Sequence, residues 1–293
     1  MKKYDYKKVD AFTSEKSKGN PAAFMVLGDE AFSDAQCLEV AKEHAGFICE
    51  FVFVNNSDKA DLKLTYYSSE CEVDFCGHGT IATMYELIKN DEGLMNKKEI
   101  SFDTNKKGIL TAYNHIPEQD AVYISAPEAV FYENNIKKEE ISAAFALSQA
   151  AISDEYPIAI IDAGLKTLIV PMQNLETEIS VYPDIDILKQ FVIDKDVDII
   201  LIWSKETSNQ EFYAHTRVFS PKYGYLEDPA TGSGNSAFAN YLYENNLWSG
   251  DAIAVEQGGR KIAFNKVNLW RHDGKILFGG SATLKIEGKI YVY

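Results

Sequence analysis

The sequence predicts an α+β protein made of two related halves. Its length of 293 residues allows two domains of about 150 residues each. Runs rich in Val, Ile, Phe and Tyr, the residues that favour strands, recur along both halves with only a few helical stretches between them. A Gly-x-Gly turn followed by a helical run occurs twice, at Gly77–Gly79 and Gly232–Gly234, 155 residues apart. Short glycine motifs also recur by chance, so the repeat indicates related halves without proving them.

The first half is predicted to be mostly sheet, with two helices. Its predicted strands are Lys8–Phe12, Ala22–Leu27, Phe51–Val54, Leu62–Tyr67, Ile100–Asp103, Ile109–Tyr113 and Ala121–Ser125. One helix is predicted over Ser33–His44, because Ser33 followed three residues later by Gln36 is the pattern of a capping box. The other follows the first glycine turn and runs from about Gly79 to Ile88.

The second half shows the same mixture of strands and helices. Its predicted strands are Ile158–Asp162, Leu168–Pro171, Ile199–Trp203, Phe212–Phe219, Ala252–Gln257, Val267–Arg271 and Leu284–Val292. Helices are predicted near Ile136–Phe145, Ile185–Val192 and Gly234–Asn245.

The composition limits the kind of partner. The chain is 46% hydrophobic, which is enough for real cores, and its formal net charge is −15 with no basic run. Nucleic acids and anionic membranes are bound through a surplus of Lys and Arg, so the charge argues against both. A small molecule is the predicted partner.

Several features predict a cytoplasmic protein. The longest apolar stretches, Ala22–Leu27 and Ile199–Trp203, are far shorter than the ~20 residues that span a bilayer. The amino end has positive charge but no apolar core or cleavage site, so it does not predict a secretory signal. Four cysteines in a chain of this length are expected to be reduced thiols: Cys37, Cys49, Cys71 and Cys76.

Each glycine turn is a candidate anion site. Glycines let backbone N–H groups converge at the start of a helix, where the first donors are unsatisfied and the helix dipole is positive. Two such sites facing each other between two halves would hold a small carboxylate and stabilise negative charge that develops on it, despite the acidic composition.

Six segments spread over almost the whole chain form a recognisable pattern, and the last of them is the most specific. They are Val9–Phe12, Gly19–Ala22, Glu50–Val54, Phe75–Thr80, Arg217–Pro221 and Glu227–Gly234. With these segments the chain resembles the PhzF-like phenazine-biosynthesis family, whose fold is similar to that of diaminopimelate epimerase.

The resemblance implies an α+β fold of two similar domains, each a curved mixed sheet wrapped around a central helix. It places the first domain at residues 1–130, completed by a last strand at about 284–293, and the second at residues 131–283. The active site is expected in the cleft between them, and a homodimer is expected.

The resemblance also implies an isomerase without cofactor or metal, in which one glutamate moves a proton between carbons of a small acid. Carried over by position, the catalytic glutamate is Glu50, and the assisting polar residues are His78, Asp228 and Ser233. The residues expected to hold the substrate carboxylate are Asn20, Gly77, Gly79, Thr80, Thr231, Gly232 and Gly234.

The residues around Glu50 support part of this assignment independently. Glu50 interrupts an apolar run, with Phe47–Cys49 before it and Phe51–Phe53 after it. Desolvation by such neighbours is expected to raise the pKa of a carboxyl group toward the range useful for acid/base catalysis. The alternative is an ordinary strand glutamate that faces solvent.

The other candidate residues also have simpler interpretations. His78 is also explained as a core or capping histidine, and Asp228, followed by Pro229, as a turn residue. Cys71, Cys76 and His78 suggest zinc but lack a fourth ligand or a pairing motif, so no metal is predicted. A hydrolase triad of Ser233, His78 and Asp228 is disfavoured, because the serine lacks the outer glycines of a nucleophile elbow.

The residues before the two glycine turns argue against a two-thiol racemase. Diaminopimelate epimerase uses two opposed cysteines at these positions, whereas here they are Cys76 and Thr231. A threonine hydroxyl is far too weakly acidic to replace a thiol. Proton transfer by one carboxylate is therefore favoured, and the alternatives are a catalytically silent small-acid binding protein and an epimerase of an amino-acid-like substrate.

Overall fold

The structure is a computed structural model that describes residues 2–14, 16–260 and 263–292. Strands in these residues are β1 (Lys2–Ala11), β2 (Asn20–Gly28), β3 (Glu50–Asn55), β4 (Leu62–Tyr67), β5 (Glu72–Val73), β6 (Glu99–Thr104), β7 (Gly108–His115), β8 (Ala121–Ser125), β9 (Val130–Tyr132), β10 (Ala159–Asp162), β11 (Lys166–Pro171), β12 (Ile199–Ser204), β13 (His215–Phe219), β14 (Glu227–Asp228), β15 (Ile253–Gln257), β16 (Asn265–His272), β17 (Lys275–Gly280) and β18 (Ala282–Val292). The α-helices are α1 (Asp34–Glu43), α2 (Gly77–Asn90), α3 (Glu92–Met95), α4 (Ile116–Gln119), α5 (Lys138–Ala144), α6 (Leu175–Ser180), α7 (Ile185–Asp194) and α8 (Gly232–Glu244). Among the described residues, no helix has both the length and the apolar character needed to cross a membrane.

The chain divides into two compact units. Unit 1 comprises Met1–Thr13, Lys18–Ser125 and Gly279–Tyr293, and unit 2 comprises Ser14–Ser17 and Ala126–Phe278. The carboxyl-terminal strand β18 therefore belongs to unit 1, where it pairs with β1. Tyr293, the last residue of the predicted segment 284–293, lies outside the described residues.

Unit 1 is a mixed sheet around the helix α2. Strands β2 and β3 are parallel, as are β4 and β6, whereas β1 and β2, β3 and β4, β6 and β7, and β7 and β8 are antiparallel. The helix packs against β1, β2, β3, β8 and β18. Nine of its fourteen residues are buried. A helix covered on most sides needs apolar residues around most of its circumference, and α2 has them at Ile81, Ala82, Met84 and Ile88.

The second helix of unit 1, α1, covers the opposite face of the sheet. Its buried residues Cys37 and Val40 share an apolar cluster with Phe51 and Phe53 of β3. Successive strand residues point to opposite faces, so Glu50 and Val52 project toward α2 instead. The alternation along β3 therefore puts the Glu50 carboxyl on the same side of the sheet as the glycine turn.

Unit 2 repeats this arrangement around α8. Strands β11 and β12 are parallel, as are β13 and β15, while the pairs β9–β10, β10–β11, β12–β13 and β15–β16 are antiparallel. The helix α8 packs against β10, β11, β12 and β16. A second apolar cluster joins residues of α5 and α7, including Ile141 and Leu188, to Leu168 and Ile200 of the sheet.

The strands that lead into the central helix follow the same order in the two units. In each, a two-residue strand leads through three residues into the buried helix: β5 into α2, and β14 into α8. The two short strands start 155 residues apart, as do the two helices. The repeat predicted from the glycine turns is therefore a repeat of the fold.

Most predicted elements are present, and the differences have local causes. The capping box of Ser33 and Gln36 is confirmed. Both central helices begin two residues earlier than predicted, because the first glycine of each turn already has helical backbone and the preceding residue, Cys76 or Thr231, is the N-cap. The predicted strand Phe212–Phe219 begins only at His215. The strands β5, β9, β14 and β17 and the helices α3, α4 and α6 were not predicted, since each is only two to six residues long and carries little recognisable periodicity.

Candidate active site

The first glycine turn places a thiol at the start of α2. Cys76 is the N-cap residue, with extended backbone, and its Sγ accepts a hydrogen bond of 3.2 Å from the N–H of Gly79. Only three residues separate β5 from the helix. The short connection and the cap together fix His78 in the first turn of α2.

Glu50 and His78 form a close ion pair in unit 1. Nε2 of His78 lies 3.0 Å from Oε2 of Glu50, and their side chains are 13% and 22% exposed. The contact falls short of an aligned hydrogen bond, and among the described residues Oε2 accepts none. The carboxylate is therefore held in place by charge while one lone pair of Oε2 remains able to accept a proton.

The structure corrects the expectation about the acidity of Glu50. Burial acts to raise the pKa of Glu50, as expected, but the charge of His78 and the polar contacts with His78 and Cys76 together outweigh it, and the pKa is lowered from its ordinary value. Burial acts to lower the pKa of His78, yet its contacts with Cys76 and Glu50 raise it well above its ordinary value. At neutral pH the pair is therefore a carboxylate and an imidazolium.

Cys76 lies on the other side of the same imidazole. Its Sγ is 3.4 Å from Nδ1 of His78. Burial, with the negative charge of Glu50, raises the pKa of Cys76, so the group is a thiol at neutral pH. His78 thus stands between a thiol and a carboxylate, and the carboxylate is the proton acceptor of the three.

Few backbone donors of the first turn remain for an anion. The N–H of Gly79 donates to Cys76 Sγ, and the N–H of Thr80 donates to the Cys76 carbonyl at 2.9 Å. The hydroxyl of Thr80 is also bonded, to the Cys76 carbonyl and to the hydroxyl of Tyr66, both at 2.7 Å. The predicted carboxylate contacts of Gly79 and Thr80 are therefore revised, and the remaining candidates in the turn are the N–H groups of Gly77 and His78.

Asn20 occupies the first position of β2, beside the strand that carries Glu50. Strands β2 and β3 are parallel, and Ala22 is the register partner of Glu50. Asn20 is 1% exposed. The structure thus brings Asn20, Glu50, Gly77 and His78 into one unit, with the Asn20 side chain buried next to the start of β3.

The second glycine turn is held by a side chain for which the sequence suggested no role. Oε1 of Gln257 accepts hydrogen bonds from the N–H of Thr231 at 3.1 Å and from Nδ2 of Asn235 at 2.7 Å. Its Nε2 donates to the carbonyl of Asp228 at 2.8 Å and to Oγ1 of Thr231 at 3.2 Å. Gln257 is fully buried. Nothing along the chain marks Gln257 for this role, because only the fold brings the end of β15 to the turn.

The other predicted residues of this turn lie in unit 2. Asp228 is 8% exposed and accepts a weak bond of 3.4 Å from the N–H of Ala230 through Oδ1, which is the turn-forming role considered from the sequence. A Cβ atom on Gly164 would lie 3.5 Å from the Cβ of Ser233. Thr231 has no side-chain cap bond to its helix. Ser233 is thus next to Gly164, a glycine with positive φ.

A family comparison decides the identity of the chain. The profile of the PhzC-PhzF family, described as phenazine biosynthesis-like proteins, matches residues 9–288. The chain belongs to this family.

Curated relatives of this family member are named as isomerases. The uncharacterized isomerase YfhB of Bacillus subtilis is 29% identical over 292 residues, covering 98% of this chain and 96% of the relative. An uncharacterized isomerase of Halalkalibacterium halodurans is also 29% identical, covering 94% of each chain. The chain is accordingly an isomerase of the PhzF type.

Solved structures show the same fold. A phenazine biosynthesis protein of the PhzF family from Bacillus anthracis superposes with a TM-score of 0.87 at 24% identity, with both chains fully covered. A hydroxyproline epimerase from Agrobacterium vitis, with bound trans-4-hydroxy-L-proline, superposes with a TM-score of 0.61 at 11% identity, covering 98% of this chain and 92% of the epimerase. The PhzF fold with its two similar domains is thereby confirmed.

One further group in this PhzF-type site was absent from the sequence argument. Cys49, Glu50 and His78 each offer a donor atom, and these atoms lie within 4.8 Å of one another. Cys71, which the sequence argument considered beside Cys76 and His78, lies instead in a turn where its Sγ is 3.9 Å from the hydroxyl of Ser68. Cys49 adjoins Glu50 in sequence, but only the fold shows that His78 faces both.

Proposed function

We propose that this PhzF-type isomerase moves a proton between two carbons of a small carboxylic acid, with Glu50 as the single acid/base group and no cofactor. The observation that carries the proposal is the 3.0 Å pair of Glu50 and His78 beside the helix start. The pair combines a base whose Oε2 has capacity for a proton with a cation that is able to stabilise developing negative charge.

The reaction divides into two proton transfers on one carboxyl group. Glu50 first takes a proton from a carbon next to a double bond that is conjugated with the substrate carboxylate, and the electron pair of the broken C–H bond spreads over this system as a dienolate. The imidazolium of His78 and the N–H groups of Gly77 and His78 stabilise that charge. The carboxyl group of Glu50, whose side chain is 22% exposed, exchanges its proton with solvent and then protonates another carbon, so the product has the composition of the substrate and the enzyme ends unchanged.

Substrate binding is proposed for two groups of residues. In unit 1, Asn20 and the start of α2 are the candidates for a substrate carboxylate. In unit 2, the start of α8 is a second candidate anion site, with Thr231, Gly232 and Gly234 as backbone contacts and Asp228 and Ser233 as assisting polar groups. In the part of the chain that the structure describes, Gln257 takes the N–H of Thr231, and no bond is seen from the N–H groups of Gly232 and Ser233.

Solvent deuterium exchange tests the proposal. Small carboxylic acids that raise the melting temperature of the protein are first selected, because a ligand that binds only the folded state stabilises it. Each is then incubated with the enzyme in D₂O and examined by NMR for deuterium bound to carbon. Wild-type enzyme is expected to incorporate deuterium, and Glu50→Gln is expected to reduce the rate by about 10²–10⁴-fold.

Glu99→Gln is the matched control for this experiment. Glu99 is also the first residue of a strand of unit 1, but it is exposed, so its exchange rate should equal that of the wild type. Stabilisation by an acid without deuterium incorporation in the wild type would indicate a silent binding protein instead. Incorporation with inversion at one carbon, and no movement of a double bond, would indicate an epimerase.

A further inference from the structure

The donor atoms next to the proposed base form a set that matches a soft divalent cation. A thiol sulfur from Cys49, a carboxylate oxygen from Glu50 and an imidazole nitrogen from His78 lie within 4.8 Å of one another. Zinc in proteins takes these three kinds of ligand. The three donors differ in charge and softness. This combination is more specific for such a cation than an acidic cluster or a single thiol would be.

The distances are close to those that a bound ion requires. Tetrahedral zinc with bonds of about 2.0–2.3 Å separates its ligand atoms by roughly 3.3–3.7 Å. Nε2 of His78 and Oε2 of Glu50 are now 3.0 Å apart, and no pair in the set exceeds 4.8 Å. Cys49 is exposed and lies in the bend before β3, so its sulfur is open to an ion from solvent.

The other nitrogen of the imidazole already has a partner. Sγ of Cys76 lies 3.4 Å from Nδ1 of His78, and this contact directs Nε2 toward Glu50. A histidine that binds a metal is usually fixed in this manner by a partner on its second nitrogen. Cys76 is therefore a positioning residue for the cluster, whereas Cys49 is the sulfur on the side of Glu50.

The charges of the cluster also balance when an ion binds. Before binding, the Glu50 carboxylate and the His78 imidazolium sum to zero with a neutral Cys49 thiol. A divalent cation displaces one proton from the imidazolium and one from the thiol, and both protons pass to solvent. The cation, the carboxylate and the thiolate then again sum to zero, and the fourth position of the ion stays open to solvent.

We propose that Cys49, Glu50 and His78 form an inhibitory site for a thiophilic divalent cation, with Zn²⁺ as the probe. Binding of the ion occupies the carboxylate of Glu50 and the imidazole of His78. The inhibitory effect rests on the proposed function, because it requires Glu50 to be the base. The binding itself does not.

Cobalt substitution measures the binding without any substrate. The reduced, chelator-treated protein is titrated with Co²⁺, and the near-ultraviolet band that reports a thiolate bound to cobalt is followed; Zn²⁺ is then added to displace the cobalt. One equivalent is expected to saturate the wild type. Cys49→Ser is expected to lose the band and to bind Zn²⁺ at least about 100-fold more weakly, since a lost ligand costs more than a lost outer partner.

Cys71→Ser is the matched control, because Cys71 is the other exposed cysteine of unit 1 and lies outside the cluster. It should retain the band. Absence of the band in the wild type, or its persistence in Cys49→Ser, would overturn the proposal. Loss of the band in Cys76→Ser with retention in Cys49→Ser would also overturn it, by assigning the sulfur ligand to Cys76.

The deuterium-exchange assay separates this site from the proposed function. Zn²⁺ should suppress exchange by the wild type, and the concentration that halves the rate should rise at least about 10-fold in Cys49→Ser relative to Cys71→Ser. A cobalt–thiolate band without Glu50-dependent exchange would support the ion site and refute the proposed reaction. Deuterium exchange that depends on Glu50, without a cobalt–thiolate band, would support the proposed reaction and refute the ion site.

Discussion

The side chain of Gln257 holds Thr231 at two points: Oε1 accepts the backbone N–H at 3.1 Å, and Nε2 approaches Oγ1 at 3.2 Å. Thr231 is the N-cap of α8, yet its own hydroxyl does not cap the helix. In unit 1 the equivalent residue, Cys76, caps its helix with its own sulfur. In unit 2 the start of the central helix is therefore fixed by Gln257, a side chain of the neighbouring strand β15.

Replacing Gln257 should destabilise unit 2. Gln257→Ala leaves the buried N–H of Thr231 and the carbonyl of Asp228 without this partner, which should cost about 2–4 kcal/mol of unfolding free energy. All three tryptophans of the chain, Trp203, Trp248 and Trp270, lie in unit 2, so the urea dependence of tryptophan fluorescence follows this unit.

The control for Gln257 is an exposed glutamine of the same unit. Gln190 is exposed on α7 and donates to Oδ1 of Asp194, and Gln190→Ala should change the unfolding free energy by less than about 0.5 kcal/mol. An equally small effect of Gln257→Ala would contradict the role assigned to the buried amide.

A buried carboxyl group should make unit 2 less stable as pH rises. Glu178 is fully buried, and in the described part of the chain neither of its side-chain oxygens has a hydrogen-bond partner. Burial raises the pKa of Glu178 from 4.5 to about 8, although the nearby charges of His215 and Arg217 oppose the shift. The folded state therefore keeps a proton that the unfolded state loses.

The sign of the effect follows from the two pKa values. The contribution of Glu178 to stability is fully present below pH 4.5 and is lost as the pH rises toward about 8. Glu178→Gln keeps the shape without a titrating group. The unfolding free energy of the variant relative to that of the wild type should therefore increase by about 2–4 kcal/mol from pH 5 to pH 8. Urea titrations at both pH values measure this gain. A difference between the two proteins that does not change with pH would refute the buried neutral state.

Any side chain at Gly232 should destabilise the protein, because it would clash with a packed neighbour. A Cβ atom there would lie 2.4 Å from Cε2 of Phe278, which is itself buried. Gly232→Ala should therefore cost about 1–3 kcal/mol of unfolding free energy, as expected for overpacking. Gly234→Ala is the comparison, because its nearest contact would be Val218 Cγ2 at 3.2 Å. Denaturation of the two variants by tryptophan fluorescence should show the smaller loss in Gly234→Ala, and equal losses would contradict the assignment to Phe278.

Cys76 should tolerate serine better than alanine. Sγ of Cys76 accepts the N–H of Gly79, and a serine hydroxyl is a preferred acceptor at this position. Cys76→Ala should lose about 1 kcal/mol of local stability relative to Cys76→Ser. Hydrogen exchange of the Gly79 amide measures this difference. Deuterium incorporation into substrate should continue in Cys76→Ser, and its complete loss would mean that the thiol, and not Glu50, performs the chemistry.

The sequence determined the repeated architecture through local signals. The two Gly-x-Gly turns, 155 residues apart, predicted two central helices in related halves, and the apolar run around Glu50 predicted a buried strand that carries one carboxyl group. Capping by Ser33 and Gln36 was likewise predictable, because the interaction spans only three residues. Such features depend on residues that are close in sequence, so they can be predicted without knowledge of the fold.

The tertiary structure decided which groups face one another. Only the packing of β3 against the start of α2 shows that His78 meets Glu50 and reverses the expected direction of its pKa shift. Only the packing of β15 against the second turn brings Gln257 to Thr231, 26 residues away in sequence. Charge and hydrogen bonding act over a few ångströms of space, and separation along the chain does not report that distance. The sequence therefore supplied candidate residues for the site, whereas the protonation of Glu50 and His78 and the support of the second turn by Gln257 depended on the fold.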